Sequence, residues 1–153
     1  LKFVQRNLNS FSGVFFPGGH APMEDLYKDE DVNKILLYFH HKQKPTALIC
    51  HGTAALLSTR NSQRDFLYTG YKMTAFSTAE EKQQEESGNL DGYLPYYVQD
   101  ELSKAGGTVV VGNPWTSHVI RDRELITAQN PQSDKEFTAM FLEALVEYKI
   151  KNL

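Results

Sequence analysis

Two short stretches carry the residue types that covalent chemistry needs. Cys50-His51-Gly52 sets a thiol beside an imidazole, and Pro17-Gly18-Gly19-His20 sets a glycine pair beside a second imidazole. A thiolate is a strong nucleophile, an imidazole exchanges protons near neutral pH, and glycines let backbone N–H groups approach a reacting oxygen. Each stretch closes a short apolar run, Gly13-Val14-Phe15-Phe16 and Ala47-Leu48-Ile49-Cys50. Ligands bind at the carboxyl ends of strands in open parallel sheets, so both loops fall where a site is built. Strand, nucleophile, helix is the layout of a nucleophile elbow. Gly52 fits it, because a side chain there would meet the neighbouring strand. Leu48 stands where a serine-hydrolase elbow has glycine, so that pattern is half met. At an elbow Cys50 takes a positive φ. Its thiol would face the positive end of a helix starting near His51, which lowers a pKa of about 8.5 in free cysteine. The N–H after Cys50 and one from Gly18-Gly19 would form an oxyanion hole. A lone cysteine ending a strand is more often a small buried hydrophobe. The adjoining His-Gly and the facing glycine loop argue for the reactive reading.

The elements that must position these residues are helices alternating with short strands. Phe137, Met140, Phe141, Ala144, Leu145 and Tyr148 recur at helical spacing, and Ser133 with Glu136 reads as the capping box of that helix. A helix over residues 31–41 buries Val32, Ile35, Leu36 and Phe39, with Asp29, Glu30 and Asp31 at its positive end. A third spans about 95–105, from Pro95 to the stop at Gly106-Gly107. Met73-Thr74-Ala75-Phe76 and Thr108-Val109-Val110-Val111 add two strands. A hairpin joins Val119-Ile120 to Leu125-Ile126-Thr127 through Arg121-Asp122-Arg123. Residues 83–88 read as a loop or frayed helix end. The expected fold is α/β, a doubly wound, mainly parallel sheet with helices on both faces, in one domain over 1–153. Residues 1–8 read as the middle of an element, and N-terminal strands of the domain are expected to be missing.

Composition bounds the partners. Sixteen basic against 19 acidic residues give a formal charge of −3, which offers no clustered basic footprint, so no nucleic-acid partner is expected. No apolar run is long enough to span a bilayer, and no basic-then-apolar leader opens the chain, so a cytoplasmic domain without a membrane partner is expected. Cys50 is the only cysteine, which excludes an internal disulfide and a cysteine-rich zinc site. His40 and His41 suit the negative end of their helix. His118 defaults to the surface or core edge, and Tyr93, Tyr96 and Tyr97 to packing at a pocket edge.

Phe16-Pro17-Gly18-Gly19-His20, the Ile49-Cys50-His51-Gly52 elbow, residues 76–81 and Leu125-Ile126-Thr127-Ala128-Gln129-Asn130-Pro131 resemble the ThiJ/PfpI superfamily of class I glutamine-amidotransferase-like proteins. Ala79-Glu80-Glu81-Lys82-Gln83 is most similar to the heat-shock-protein-31 branch, the glutathione-independent glyoxalase III and chaperone proteins. The resemblance implies a flavodoxin-like fold, Cys50 as nucleophile, His51 as its histidine and Glu81 as the acid of the triad. It implies Gly18, Gly19 and His20 at the oxyanion and substrate side, no metal and no cofactor. It implies conversion of methylglyoxal-type dicarbonyls to hydroxy acids, and a homodimer. A stress holdase and a PfpI-type cysteine hydrolase or peptidase are the alternatives within the family. A glutaminase is disfavoured, because His118-Val119-Ile120 carries isoleucine where that family has an acid. Thr78 and Glu81 also spell a capping box, which would give Glu81 a purely structural role. Two departures stand out: Thr53 replaces the common proline after Cys-His-Gly, and nothing before Cys50 matches the family's early glutamate, since Glu24 and Glu30 follow the glycine loop.

Overall fold

The computed structural model describes residues 7–63, 65–88, 90 and 92–153; of the expectation for residues 1–8, all but the last two fall outside that range. Strands β1 (Val14–Phe16), β2 (Thr46–Ile49), β6 (Leu125–Ala128) and β5 (Val119–Asp122) form one sheet in that order. β1 to β2 and β2 to β6 are parallel, and β5 to β6 is antiparallel. β3 (Lys72–Met73) and β4 (Thr108–Val109) make a second, parallel pair. The fold is the expected mainly parallel sheet with helices on both sides.

The reason for two-sided burial is visible in β2 and β6. Every residue of β6 is buried, as are Thr46, Ala47 and Leu48 of β2, so both faces need cover. One face carries the larger core, in which Leu48 and Leu125 meet Val32, Ile35, Leu36 and Phe39 of α2 (Glu30–His41) and Leu102 of α4 (Val98–Ala105). The other face packs Ala47, Ile126 and Ala128 against Phe137 and Ala144 of α5 (Asp134–Lys151). A short α1 (Pro22–Asp25) follows the glycine loop, and α3 (Thr78–Glu86) follows β3.

Several boundaries differ from the sequence expectation for identifiable reasons. The run at Met73 pairs only over two residues, because Thr74 leaves the ladder and gives its N–H to Thr127 Oγ1 (2.9 Å). The hairpin turns at Arg123-Glu124, with Arg123 at φ +58. α4 starts at Val98 with Tyr97 as its N-cap, three residues beyond Pro95, and ends as expected at Gly106, φ +114. Residues 83–86 belong to α3. Ser133 makes no cap bond; its hydroxyl accepts the His118 N–H (3.0 Å) and bonds Asn130 Oδ1 (2.9 Å). Its supposed partner Glu136 accepts from Ser117 instead (2.6 Å).

Candidate active site

Cys50 follows β2 directly and opens a 3-10 helix, Cys50–Thr59, at φ +58. That left-handed backbone is costly for a residue with a Cβ and is held only where surroundings fix it. Here they do. A Cβ on Gly52 would lie 2.3 Å from the Pro17 carbonyl oxygen and 2.7 Å from that of Phe16, and one on Gly18 would lie 2.8 Å from Cys50 Cβ. The two glycine positions let the β1 loop and the elbow touch backbone to backbone. Thr53 closes the first turn by donating its hydroxyl to the Cys50 carbonyl (2.7 Å).

Around the sulfur the side chains converge. Cys50 Sγ lies 3.2 Å from His51 Nδ1, and His51 Nε2 lies 2.5 Å from Glu81 Oε2. With Nε2–H donating to the carboxylate, Nδ1 is left to accept the thiol proton. The His51 ring packs at a tilt against both His20, centroids 4.1 Å apart, and Phe76, 4.4 Å apart. His20 Nε2 lies 3.1 Å from the other Glu81 oxygen. The backbone N–H groups of His51 and Gly19 hydrogen-bond toward the sulfur; they are among the groups named from the sequence for an oxyanion hole.

Electrostatics corrects one expectation. Burial pushes the Cys50 thiol up to about 11, against the lowering pull of those two N–H groups; the Glu81 and Glu80 carboxylates add to the rise. At the start of this 3-10 helix, burial outweighs the lowering pull of the backbone N–H groups. The resting sulfur is a thiol, with His51 Nδ1 3.2 Å away. For Glu81, burial opposes the charge, but hydrogen bonds and charge from His51, then from His20, hold its carboxyl below the usual range.

The capping box of α3 sits one residue earlier than the Thr78–Glu81 spacing suggested. Ser77 Oγ accepts the Glu80 N–H (3.1 Å), and Glu80 Oε2 accepts the Ser77 N–H (3.0 Å). Glu81 is thereby free to face His51. Glu80 is the residue that sequence reasoning missed. It is fully buried and also accepts from Trp115 N–H (2.7 Å), Gln129 Nε2 (3.0 Å) and Asn130 Nδ2 (2.7 Å). The signal was present as Ser77-x-x-Glu80, but it overlaps the rival box one residue on.

Other sequence candidates fall elsewhere. Glu24 and Glu30 lie on α1 and at the start of α2. His40 Nδ1 pairs with buried Glu124 (2.7 Å), and His118 Nε2 reaches the Val110 carbonyl (3.2 Å). Tyr96 lines a cleft of about 440 Å³ with Tyr27, Lys28, Leu57 and Arg60, whereas Tyr93 and Tyr97 line another of about 250 Å³.

A Cys-His-Glu array on a strand-to-helix elbow, in a sheet of this order, defines a class. The DJ-1/PfpI family profile matches residues 2–144, and the chain belongs to that family. The protein/nucleic acid deglycase HchA of Escherichia coli is 32% identical over 123 residues, which cover 80% of this chain and 42% of HchA. The chain therefore spans less than half the length of these curated relatives, and they support the heat-shock-protein-31 branch. The rapid encystment protein (24 kDa) of Francisella tularensis superposes with a TM-score of 0.83 at 29% identity, over 92% of this chain and 62% of its own. Glyoxalase III of Candida albicans gives 0.73 at 24% identity, over 89% and 58%, a likeness of fold.

The relatives' name overturns the expectation that nucleic acid is excluded as a partner. That expectation rested on the lack of basic clustering. Basic clustering governs tight binding along a phosphate backbone, and its lack does not exclude other contact with nucleic acid. Among the described residues no helix is long and apolar enough to cross a membrane.

Proposed function

We propose that this chain carries the cysteine site of a glyoxalase III-like and deglycase-like enzyme, which acts on methylglyoxal-type dicarbonyls and on the adducts they form with protein or nucleic-acid amines. The observation that carries the reading is the line Cys50 Sγ, His51 Nδ1, His51 Nε2, Glu81 Oε2, at 3.2 and 2.5 Å, with two N–H groups at the sulfur.

His51 removes the thiol proton as the sulfur adds to the aldehyde carbon, giving a hemithioacetal. Glu81 stabilises the imidazolium that forms. The developing oxyanion takes the His51 and Gly19 N–H groups that point at the resting sulfur. A proton then leaves the former aldehyde carbon and one is added to the neighbouring ketone carbon. The first carbon is thereby oxidised to the thioester and the second reduced to the alcohol. Water cleaves the thioester, releasing lactate and returning the thiol. The same attack on a glycated amine's hemiaminal carbon would expel the free amine. No cofactor is called for.

The test is lactate production from methylglyoxal alongside amine release from a methylglyoxal-treated peptide and nucleotide. Cys50→Ala should abolish every activity. Activity in the Cys50→Ala protein equal to that of the parent would end this reading.

A further inference from the structure

Glu81 offers one carboxylate oxygen to each of two imidazoles, and only one of these rings belongs to the nucleophile. His20 Nε2, a His51 ring nitrogen and a Glu81 oxygen all lie within 4.8 Å of one another. The Glu81 oxygens are already 3.1 Å from His20 Nε2 and 2.5 Å from His51 Nε2. Ligand atoms about 2.0–2.2 Å from a tetrahedral ion stand roughly 3.3–3.6 Å from one another, so the two hydrogen-bonded contacts need only open by about an ångström or less to admit one. We propose that His20, His51 and Glu81 form a divalent-cation site of the zinc type, and that its occupation silences Cys50.

Four features favour it. Two imidazole nitrogens and one carboxylate oxygen are a donor set that zinc and its neighbours accept, and that calcium and magnesium do not favour. The site is anchored on one side and open on the other: the His51 and Glu81 side chains are 3% and 2% exposed, whereas that of His20 is 41% exposed. An ion can enter past His20 and keep a water or anion in its fourth position. Tilted ring contacts of His20 with His51, and of His51 with Phe76, hold the rings. Finally, the other nitrogen of His51 already has a partner, Cys50 Sγ, and metal-bound imidazoles characteristically engage their second nitrogen.

The consequence follows from the tautomer. An imidazole that binds metal through Nε2 carries its proton on Nδ1. Nδ1 then donates to the sulfur and has no lone pair for the thiol proton. Cys50 stays a thiol, outside the coordination sphere, because the two ring nitrogens diverge. Metal binding rests on the geometry alone; the loss of turnover rests also on the function proposed above.

Cobalt(II) and zinc(II) are the probes. The chain should bind one cobalt with the visible bands of a low-symmetry, tetrahedral-like site. It should lack a thiolate-to-cobalt charge-transfer band, which Cys50, as the only cysteine, would alone supply. Cys50→Ser should bind as the parent does. His20→Gln, on an exposed loop, should weaken binding at least about tenfold, and zinc should raise the Tm of the parent and of Cys50→Ser but not of His20→Gln. Undiminished affinity in His20→Gln, a charge-transfer band, or no binding by the parent would each overturn the site. If zinc binds as described but methylglyoxal turnover persists at saturation, the silencing step falls and the site stands. If the metal-free parent turns nothing over, the function falls and the site again stands.

Discussion

At the scale of single residues, the site depends on who faces whom. Glu81 can address His51 because Glu80 takes over the helix cap, so the two adjacent glutamates answer different needs. Glu81→Gln keeps the volume and removes the charge that stabilises the imidazolium. Turnover should fall about a hundredfold or more, with the Tm nearly unchanged; a loss of only a few-fold would make Glu81 a bystander. Glu80→Ala should behave in the opposite way. It strands the donors of Trp115, Gln129 and Asn130, and Trp115 is held at φ +60 by that contact. Several buried donors left without partners should cost about 3 kcal/mol or more in urea unfolding. A glycine pair gives a cleaner contrast. Gly52→Ala drives a Cβ into the Pro17 and Phe16 carbonyls and should cost about 1–3 kcal/mol, together with activity. Gly19→Ala meets nothing within 4 Å and is opposed only by its φ of +91, so its stability loss should be the smaller. Equal losses would mean that the backbone contact at Gly52 does not hold the elbow.

Elements are joined by polar groups that no periodicity reveals. Asp122, on β5, accepts the Lys72 N–H of β3 (2.8 Å) and both Nε and Nη2 of Arg123 (3.1 and 3.2 Å), which ties the small sheet to the large one. Burial opposes its charge, yet the Arg123 and Lys72 groups outweigh it and hold its carboxyl below 3.8. A carboxyl depressed by folding stabilises the fold above its unfolded value and loses that contribution as pH falls through the folded one. Asp122→Asn should therefore be less stable than the parent at neutral pH, and the gap should close on acidification below the ordinary aspartate range. A gap that does not change with pH would assign the difference to packing alone. This kind of tie also explains what the sequence could and could not reveal. The apolar faces of α2 and α5 and the elbow itself were legible, because spacing and glycine placement are local. The short β3 and the fate of Ser133 were not, since each was decided by a partner far along the chain, Thr127 for Thr74 and His118 for Ser133; the cap of α3 was masked by two overlapping local boxes.

Across the whole molecule the two faces of the sheet are unequally covered. The face under α2 and α4 gathers large side chains, including Leu36, Phe39, Leu48, Leu56, Tyr68 and Leu102, all at 1% exposure or less. The face under α5 is built from Ala47, Ile126, Ala128, Phe137 and Ala144. Of the 18 residues of α5 only Phe137 and Ala144 are buried. Leu142, Val146 and Ile150, four apart and so on one side of the helix, are 56%, 58% and 67% exposed. Of the sequence stripe Phe137, Met140, Phe141, Ala144, Leu145 and Tyr148, Phe137 and Ala144 are buried against the sheet, with Met140 and Phe141 packed beside them. Local opening costs least where few apolar contacts must be broken. The amides from Val146 onward should therefore exchange with solvent well before those of β2 and β6, which need global unfolding. Methylglyoxal turnover should be indifferent to that fraying, because no residue of the site lies on α5. Hydrogen exchange by mass spectrometry, run on the chain at low concentration, reads this directly. If the second half of α5 is as protected as β2, something covers the Leu142, Val146, Ile150 face in solution, and the asymmetry drawn from this fold is wrong.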